Sequence, residues 1–419
     1  MTAPHARGTC PGLSAPMETG DGLLARVMPA GPIPLDDFIA FCVAAREHGN
    51  GTIEISARGS LQVRGLTPLS APLFAAAVAA LDIDICDGVP VIADPLEDDP
   101  TALLDANAIA ADLRRAIAAA VLPLAPKVSV IVDGGGRLAL DALSADIRLR
   151  AIPTAEGPAL HVALAGNVAS AIPLGVGAPD QAVNIVMRSL ELIAARGPEA
   201  RARDVLRRDG IAAFRAAASD RISAASPPPA RPRAEAIGRH RQKDGAFALG
   251  VGLTFGHAHA GTLIELAHVA KANGAKWVRP APDRVLLLGP FSEANATATR
   301  IAAERFDFVT APRDPRRRIV ACPGAPACAS GLIAARALAA ELAQHLPPSD
   351  DGTPVHVSGC AKGCAHPASA PLTVVGTEQG CGIVRDGSAR TAPSAYLDPA
   401  DIVTEIVRIA GKTREAVDA

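Results

Sequence analysis

Aromatic residues are scarce in this chain: one Trp, one Tyr and nine Phe among 419 residues. That leaves few platforms on which bases could stack. Lysine is scarcer still, with six against 35 arginines, and acids balance bases to a formal net charge of −2. No basic excess speaks for nucleic acid. No apolar run approaches the roughly 20 residues that span a bilayer, the longest being stretches such as 73–81. The opening MTAPHARGTCPG has no apolar h-region, so a cytoplasmic protein is expected. Eight cysteines are too few for a disulfide scaffold of this length. What remains is globular: 49% hydrophobic and 20% charged residues, at a length that suggests two or three domains at about 150 residues each.

A gapless self-match at an offset of 225 residues organises the chain. Leu24 falls on Leu249, Gly31 on Gly256, Ile39 on Ile264, Gly49 on Gly274, Ile53 on Val278 and Leu61 on Leu286. Each copy reads strand, helix, strand, strand. The apolar run from Leu23 closes at Pro29, Asp36 and Asp37 favour a helix start, Phe38, Ile39, Phe41, Cys42 and Ala45 form one helical face, and Gly49 stops it. TIEIS and the run from Leu61 alternate like two strands joined at Arg58-Gly59. Two such half ferredoxin-like α+β units can pack about a pseudo-twofold axis. A different segment is expected after each copy. The expected organisation is a first half at 1–95, an α/β domain at 100–225, a Pro-rich linker at 226–244 whose basic run is a solvated tether, a second half at 245–312 and a cysteine-bearing domain at 315–419.

Four cysteines cluster as Cys322-x5-Cys328 and Cys360-x3-Cys364, while Cys10, Cys42, Cys86 and Cys381 are scattered and are not expected to be ligands. Four thiolates can hold zinc or an iron–sulfur cluster. The x5 arm is wide for a zinc knuckle, and the small residues of ACPGAPACASG and VSGCAKGCAHP let backbone amides approach sulfur, which favours the cluster. The pair His257 and His259 is weak evidence for a metal site, and Gly134 to Gly136 is poor evidence for a phosphate site. No strand–GxGxxG–helix unit marks a nicotinamide site.

The duplication together with the C-x5-C and C-x3-C arms resembles the sulfite/nitrite reductase family, over roughly residues 8–410. The resemblance implies an internally duplicated α+β fold, two ferredoxin-like halves each followed by an α/β domain, and a [4Fe-4S] cluster on Cys322, Cys328, Cys360 and Cys364 beside a tetrapyrrole cleft. Cys10-Pro-Gly, SARGSLQVRG and SGCAKGCAHP are similar to the branch that acts on precorrin-3A in aerobic cobalamin biosynthesis. That branch implies O2 as co-substrate, electrons from NADH or another external reductant, a mononuclear non-haem iron of unassigned ligands, hydroxylation at C20 and a γ-lactone. The alternative is an assimilatory sulfite or nitrite reductase with sirohaem.

Either macrocycle carries eight carboxylates, which call for arginine forks. The resemblance and the repeat place Arg26, Arg58, Arg64, Arg279 and Arg284 as substrate-binding residues and Lys127 as catalytic. Sulfite reductases carry a second lysine where Ser129 stands and a basic residue where Met28 stands, departures that weaken the anion-reductase reading.

Overall fold

The computed structural model describes residues 11–218, 221–224, 227–346 and 355–415; Cys10 lies outside them. Strand Gly22–Val27, helix Leu35–His48, strands Thr52–Ile55 and Leu61–Leu66 and helix Ser70–Ala79 build the first repeat. Phe247–Gly252, Ala260–Ala272, Trp277–Ala281, Val285–Phe291 and Glu293–Arg305 repeat that order in the second. Helix Leu35–His48 has Asp36 and Asp37 in its first turn, Arg46 and His48 in its last, and ends at Gly49, whose N–H bonds Ala45 O.

The short strand before each helix belongs to the other repeat's sheet. Ile33–Pro34 pairs with Trp277–Ala281, with Val278 opposite Ile33, and His257–His259 pairs with Thr52–Ile55, with His257 opposite Glu54. This reciprocal exchange obeys the same 225-residue offset. The two halves therefore share a single core, which joins Phe38, Phe41 and Phe74 to Leu263, Leu266 and Phe291. The Phe41 and Phe74 rings meet edge to face at 5.8 Å, and burying each such side chain is worth about 1.5–3 kcal/mol.

The segments after the two repeats, expected to differ, are also alike. Val91–Ile92, Val130–Asp133 and Ala145–Thr154 run parallel, and Gly157–Gly166 and Ile172–Gly177 complete the sheet antiparallel. Ile319–Ala321, Val355–Ser358 and Ala370–Thr377 run parallel, and Gly380–Gly387 and Ala395–Leu397 complete theirs the same way. The offset carries Val130 onto Val355 and Ala145 onto Ala370, so the duplication extends through both α/β units. Sequence missed it because fully buried strands read as plain apolar runs without register. Nor is the basic run at 226–244 a loose tether. Arg231 donates to Asp133 (3.0 and 2.5 Å) and Asp141 (3.1 and 2.7 Å), and Arg150 donates to Pro229 O at 2.9 Å. Asp133 is fully buried, so a paired cation offsets its desolvation.

Candidate active site

The two cysteine arms leave the carboxyl ends of adjacent parallel strands. Ala321 is registered against Val357, so the Cys322–Cys328 and Cys360–Cys364 loops lie side by side, where open α/β sheets place ligands. The Gly359 N–H donates to Cys322 Sγ at 3.1 Å. Close backbone packing shapes the rest of the cradle: a Cβ on Gly359 would stand 2.8 Å from Gly324 Cα and 3.5 Å from Cys322 Sγ. The Leu332 N–H bonds Gly359 O at 2.7 Å, and Lys362 Nζ bonds Ser330 Oγ at 2.7 Å, tying one arm to the other.

Cys322 is buried, Cys328 and Cys360 half-buried and Cys364 the most open. Partial burial, then the charges of Cys360, Cys322 and Cys328, push the Cys364 thiol up. Four thiolates, a glycine cradle and an amide on sulfur fit an iron–sulfur cluster. Among the described residues no three His, Cys, Asp or Glu side chains are grouped to hold one ion. Cys42 and Cys381 are buried elsewhere, and Cys86 is half-buried with its Sγ 3.8 Å from Val89 O.

A cleft of about 690 Å³ opens beside the cysteines, between the sheet of the first repeat and strand Ile319–Ala321, with Pro90, Pro126 and Phe255 closing it. Cys322, Cys328 and Cys364 line it with Arg26, Arg58, Arg64, Arg284 and Lys127. Their guanidinium groups differ in engagement. Gln62, its amide turned to accept from Arg26 at 2.9 and 3.1 Å, donates to Glu54 at 3.0 Å. Arg58, exposed at the hairpin tip, reaches across to Ser129 Oγ (3.3 Å) and Ser144 O (2.7 Å). Arg64 is buried and spends its fork on Asp21 (2.9 and 2.8 Å), with a further bond to Ala327 O in the cysteine arm. Arg284 donates to Ala365 O at 3.3 Å. Lys127 is exposed in the turn that precedes Val130–Asp133, not on the strand itself.

Arg279 lies outside the cleft. It is buried on Glu97 (3.0 Å) and Asn107 Oδ1 (2.9 Å), where the second repeat packs on the first α/β unit. Its strand alternation turns it away from the face that Arg284 reaches. His259 caps helix Ala260–Ala272, its Nδ1 accepting from Gly261 N. Burial, then Arg336, pushes His257 down to about 4.

Residues that spacing did not single out are Arg201, Arg336 and Glu54. Glu54 is 7% exposed and accepts from Arg336 at 2.5 Å, with Arg64 Nη1 at 3.6 Å. A lone acid in the otherwise apolar strand TIEI was its only signal in sequence. Arg201 is held bidentate on Asp146 (2.9 and 2.7 Å).

The pseudo-twofold counterpart of the cysteine site is a smaller, acidic cavity of about 290 Å³, lined by Asp94, Glu97, Asp98, Asp99, Asp105 and Lys243. By strand register, three residues off the 225 offset, Ile92-Ala93-Asp94-Pro95 stands where Val320-Ala321-Cys322-Pro323 stands in the second half, and Gly135 falls on Cys360 at the offset itself. The glycine turn does not offer its amides to a ligand: the Gly134 N–H goes to Asp94 (3.1 Å), Gly135 to Asp133 (2.9 Å) and the Arg137 N–H to Asp99 (2.5 Å).

Residues 15–81 match the family model described as the nitrite/sulfite reductase ferredoxin-like half domain. A curated relative named precorrin-3B synthase, from Sinorhizobium sp, is 39% identical over 420 residues, covering 99% of this chain and 90% of that one. A solved structure of Mycobacterium tuberculosis NirA protein superposes with a TM-score of 0.75 at 17% identity, over 92% of this chain and 80% of that one. The last likeness is one of fold. No helix among the described residues is long and apolar enough to cross a membrane.

Proposed function

The chain belongs to the precorrin-3B synthases, enzymes on the nitrite/sulfite reductase fold, and from that premise we propose that it hydroxylates precorrin-3A at C20 and closes the γ-lactone in aerobic cobalamin biosynthesis. One oxygen atom of O2 enters the macrocycle. The other leaves as water, taking up two electrons from NADH or another external reductant and two protons, at least one of them from solvent. Oxygen adds to C20 and a ring acetate carboxyl to the neighbouring ring carbon, so the two new C–O bonds replace the double bond between those carbons and the carboxyl proton passes to the C20 oxygen.

The observation that carries this reading is that one cleft holds the thiolates Cys322, Cys328 and Cys364 and the cations Arg26, Arg58 and Lys127. Arg26 and Arg58 are the carboxylate clamps, and Lys127, two residues from the Ser129 that Arg58 contacts, is the third cation and the candidate proton carrier. Arg26 is oriented by Gln62, and Arg58 by Ser129 and Ser144, so both forks are set before substrate arrives, which holds one ring edge in register. Arg64 and Arg279 are neutralised by Asp21 and Glu97, and Arg284 is turned to Ala365, so these three are not the clamps. Met17, Leu24, Met28 and Phe255 give the same cleft an apolar surface for the face of the macrocycle. Cys322, Cys328, Cys360 and Cys364 would hold a [4Fe-4S] cluster, which when bound supplies electrons one at a time. The residues that exclude water and fix the ring do so whichever reductant is used.

The test is turnover of anaerobically purified protein with precorrin-3A, O2 and a reductant. A product heavier by one oxygen atom, drawn from labelled O2, supports the reading. A stoichiometric sirohaem band with sulfite or nitrite reduction, and no conversion of precorrin-3A, overturns it.

A further inference from the structure

The hairpins of the two repeats differ at the turn itself. The turn Arg58-Gly59 in the first becomes Asp283-Arg284 in the second. Gly59 has φ +82°, a conformation that costs glycine nothing. Arg284 holds the equivalent left-handed conformation at φ 63°, directly after Asp283 at φ 61°. A non-glycine residue there is strained, and such strain concentrates at functional positions. The neighbouring backbone makes room for this side chain: a Cβ on Gly256 would stand 2.4 Å from Arg284 Cδ. The sequence thus keeps an arginine where its own repeat shows that glycine fits, and clears a path for it with a second glycine.

That path leads to the cysteine arm. Arg284 donates to the carbonyl of Ala365, the residue after Cys364. Among the described residues no carboxylate lies within ion-pair distance of it, in contrast to Arg64 on Asp21, Arg279 on Glu97 and Arg336 on Glu54. Asp283 and Glu54 act on it only through space, and burial draws its pKa below the ordinary guanidinium value. It is the cleft cation with a desolvated charge, no carboxylate partner and a bond to the cluster loop.

We propose that Arg284 is a positioning residue for the cluster: it fixes the Cys364–Ala365 backbone and places an unneutralised positive charge beside the thiolates, raising the cluster's reduction potential. This rests on the reading that the four cysteines hold an iron–sulfur cluster. A nearby cation stabilises the reduced, more negative cluster, and net charge and hydrogen bonding set such potentials.

The experiment is a redox titration of the reconstituted protein, followed by absorption and electron paramagnetic resonance. The variants are Arg284→Gly, which relieves the strained backbone, and Arg284→Lys. The glycine variant is expected to bind full iron and labile sulfide and to melt no lower than the parent. At a fixed poise its ratio of reduced to oxidised cluster is expected to fall at least tenfold, about 59 mV for one electron. Arg284→Lys is expected to recover most of that fall. A glycine variant with a full cluster and an unchanged potential overturns the proposal, as does a lysine variant that behaves like glycine. Absence of iron and sulfide from the parent protein would instead sink the cluster reading itself, and the two failures are told apart by the metal assay.

Discussion

The Gly134 N–H donates to both carboxylate oxygens of Asp94, at 3.2 and 3.1 Å, and this is the first-half image of the 3.1 Å bond from the Gly359 N–H to Cys322 Sγ. One backbone donor therefore meets a thiol in one half of the duplication and a carboxyl in the other.

Asp94 makes the stability of the protein pH-dependent. Burial, then the charge of Asp133, pushes its pKa up to about 8, well above the ordinary carboxyl range. The folded state thus keeps a proton that the unfolded chain releases. The contribution is fully present below about pH 4 and is lost as pH rises through 8. Asp94→Asn is expected to flatten the decline in urea midpoint between pH 5 and 9, and a decline of unchanged slope would place the titration elsewhere.

Changing Cys322, Cys328, Cys360 or Cys364 singly to Ser is expected to remove acid-labile sulfide or destabilise the cluster. Cys42→Ala, Cys86→Ala and Cys381→Ala are expected to retain full iron and sulfide, because these thiols lie apart from the cleft. Iron and sulfide assays on matched preparations decide between the two groups.

Arg26→Ala is expected to weaken precorrin-3A binding by roughly ten- to a hundredfold, about 1.5–3 kcal/mol for a charge-assisted bond. Arg58 is exposed and screened, so Arg58→Ala is expected to cost about tenfold or less. Anaerobic titration measures both, and salt should weaken the parent more than either variant. Equal affinity in parent and variants would place these arginines outside the substrate's reach.

Glu54→Gln is expected to destabilise the fold by about 3 kcal/mol, because it strips a buried anion from Arg336 and Arg64 while leaving their charges in place. A lowered denaturation midpoint checks this. Replacing Arg336 as well, for instance with Met, should recover part of the loss.

The repeat, the helix ends and the cysteine arms were legible in the sequence because each depends on local spacing. Asp36, Asp37 and Gly49 mark a helix wherever it packs, and Cys-x5-Cys says which chemistry is near. What stayed hidden depends on partners far along the chain. Arg64 and Arg284 read alike as basic residues of a hairpin, yet one is neutralised by Asp21 and the other is not. Arg279, one strand away, faces Glu97 in another unit. The second duplication, of the α/β sheets, was hidden because Val130–Asp133 and Val355–Ser358 share burial but only their two valines, too little to set a register in sequence.

The exchanged strands also order events at the ribosome. The sheet of the first repeat takes its edge strand from His257–His259, residues made some 200 positions after Thr52–Ile55. At about 5–20 residues per second, that edge stays open for roughly 10–40 seconds while the first α/β unit and the linker emerge. A nascent chain of this protein thus spends much of its synthesis with an unpaired edge, the condition in which a chaperone that shields β-edges has most to do.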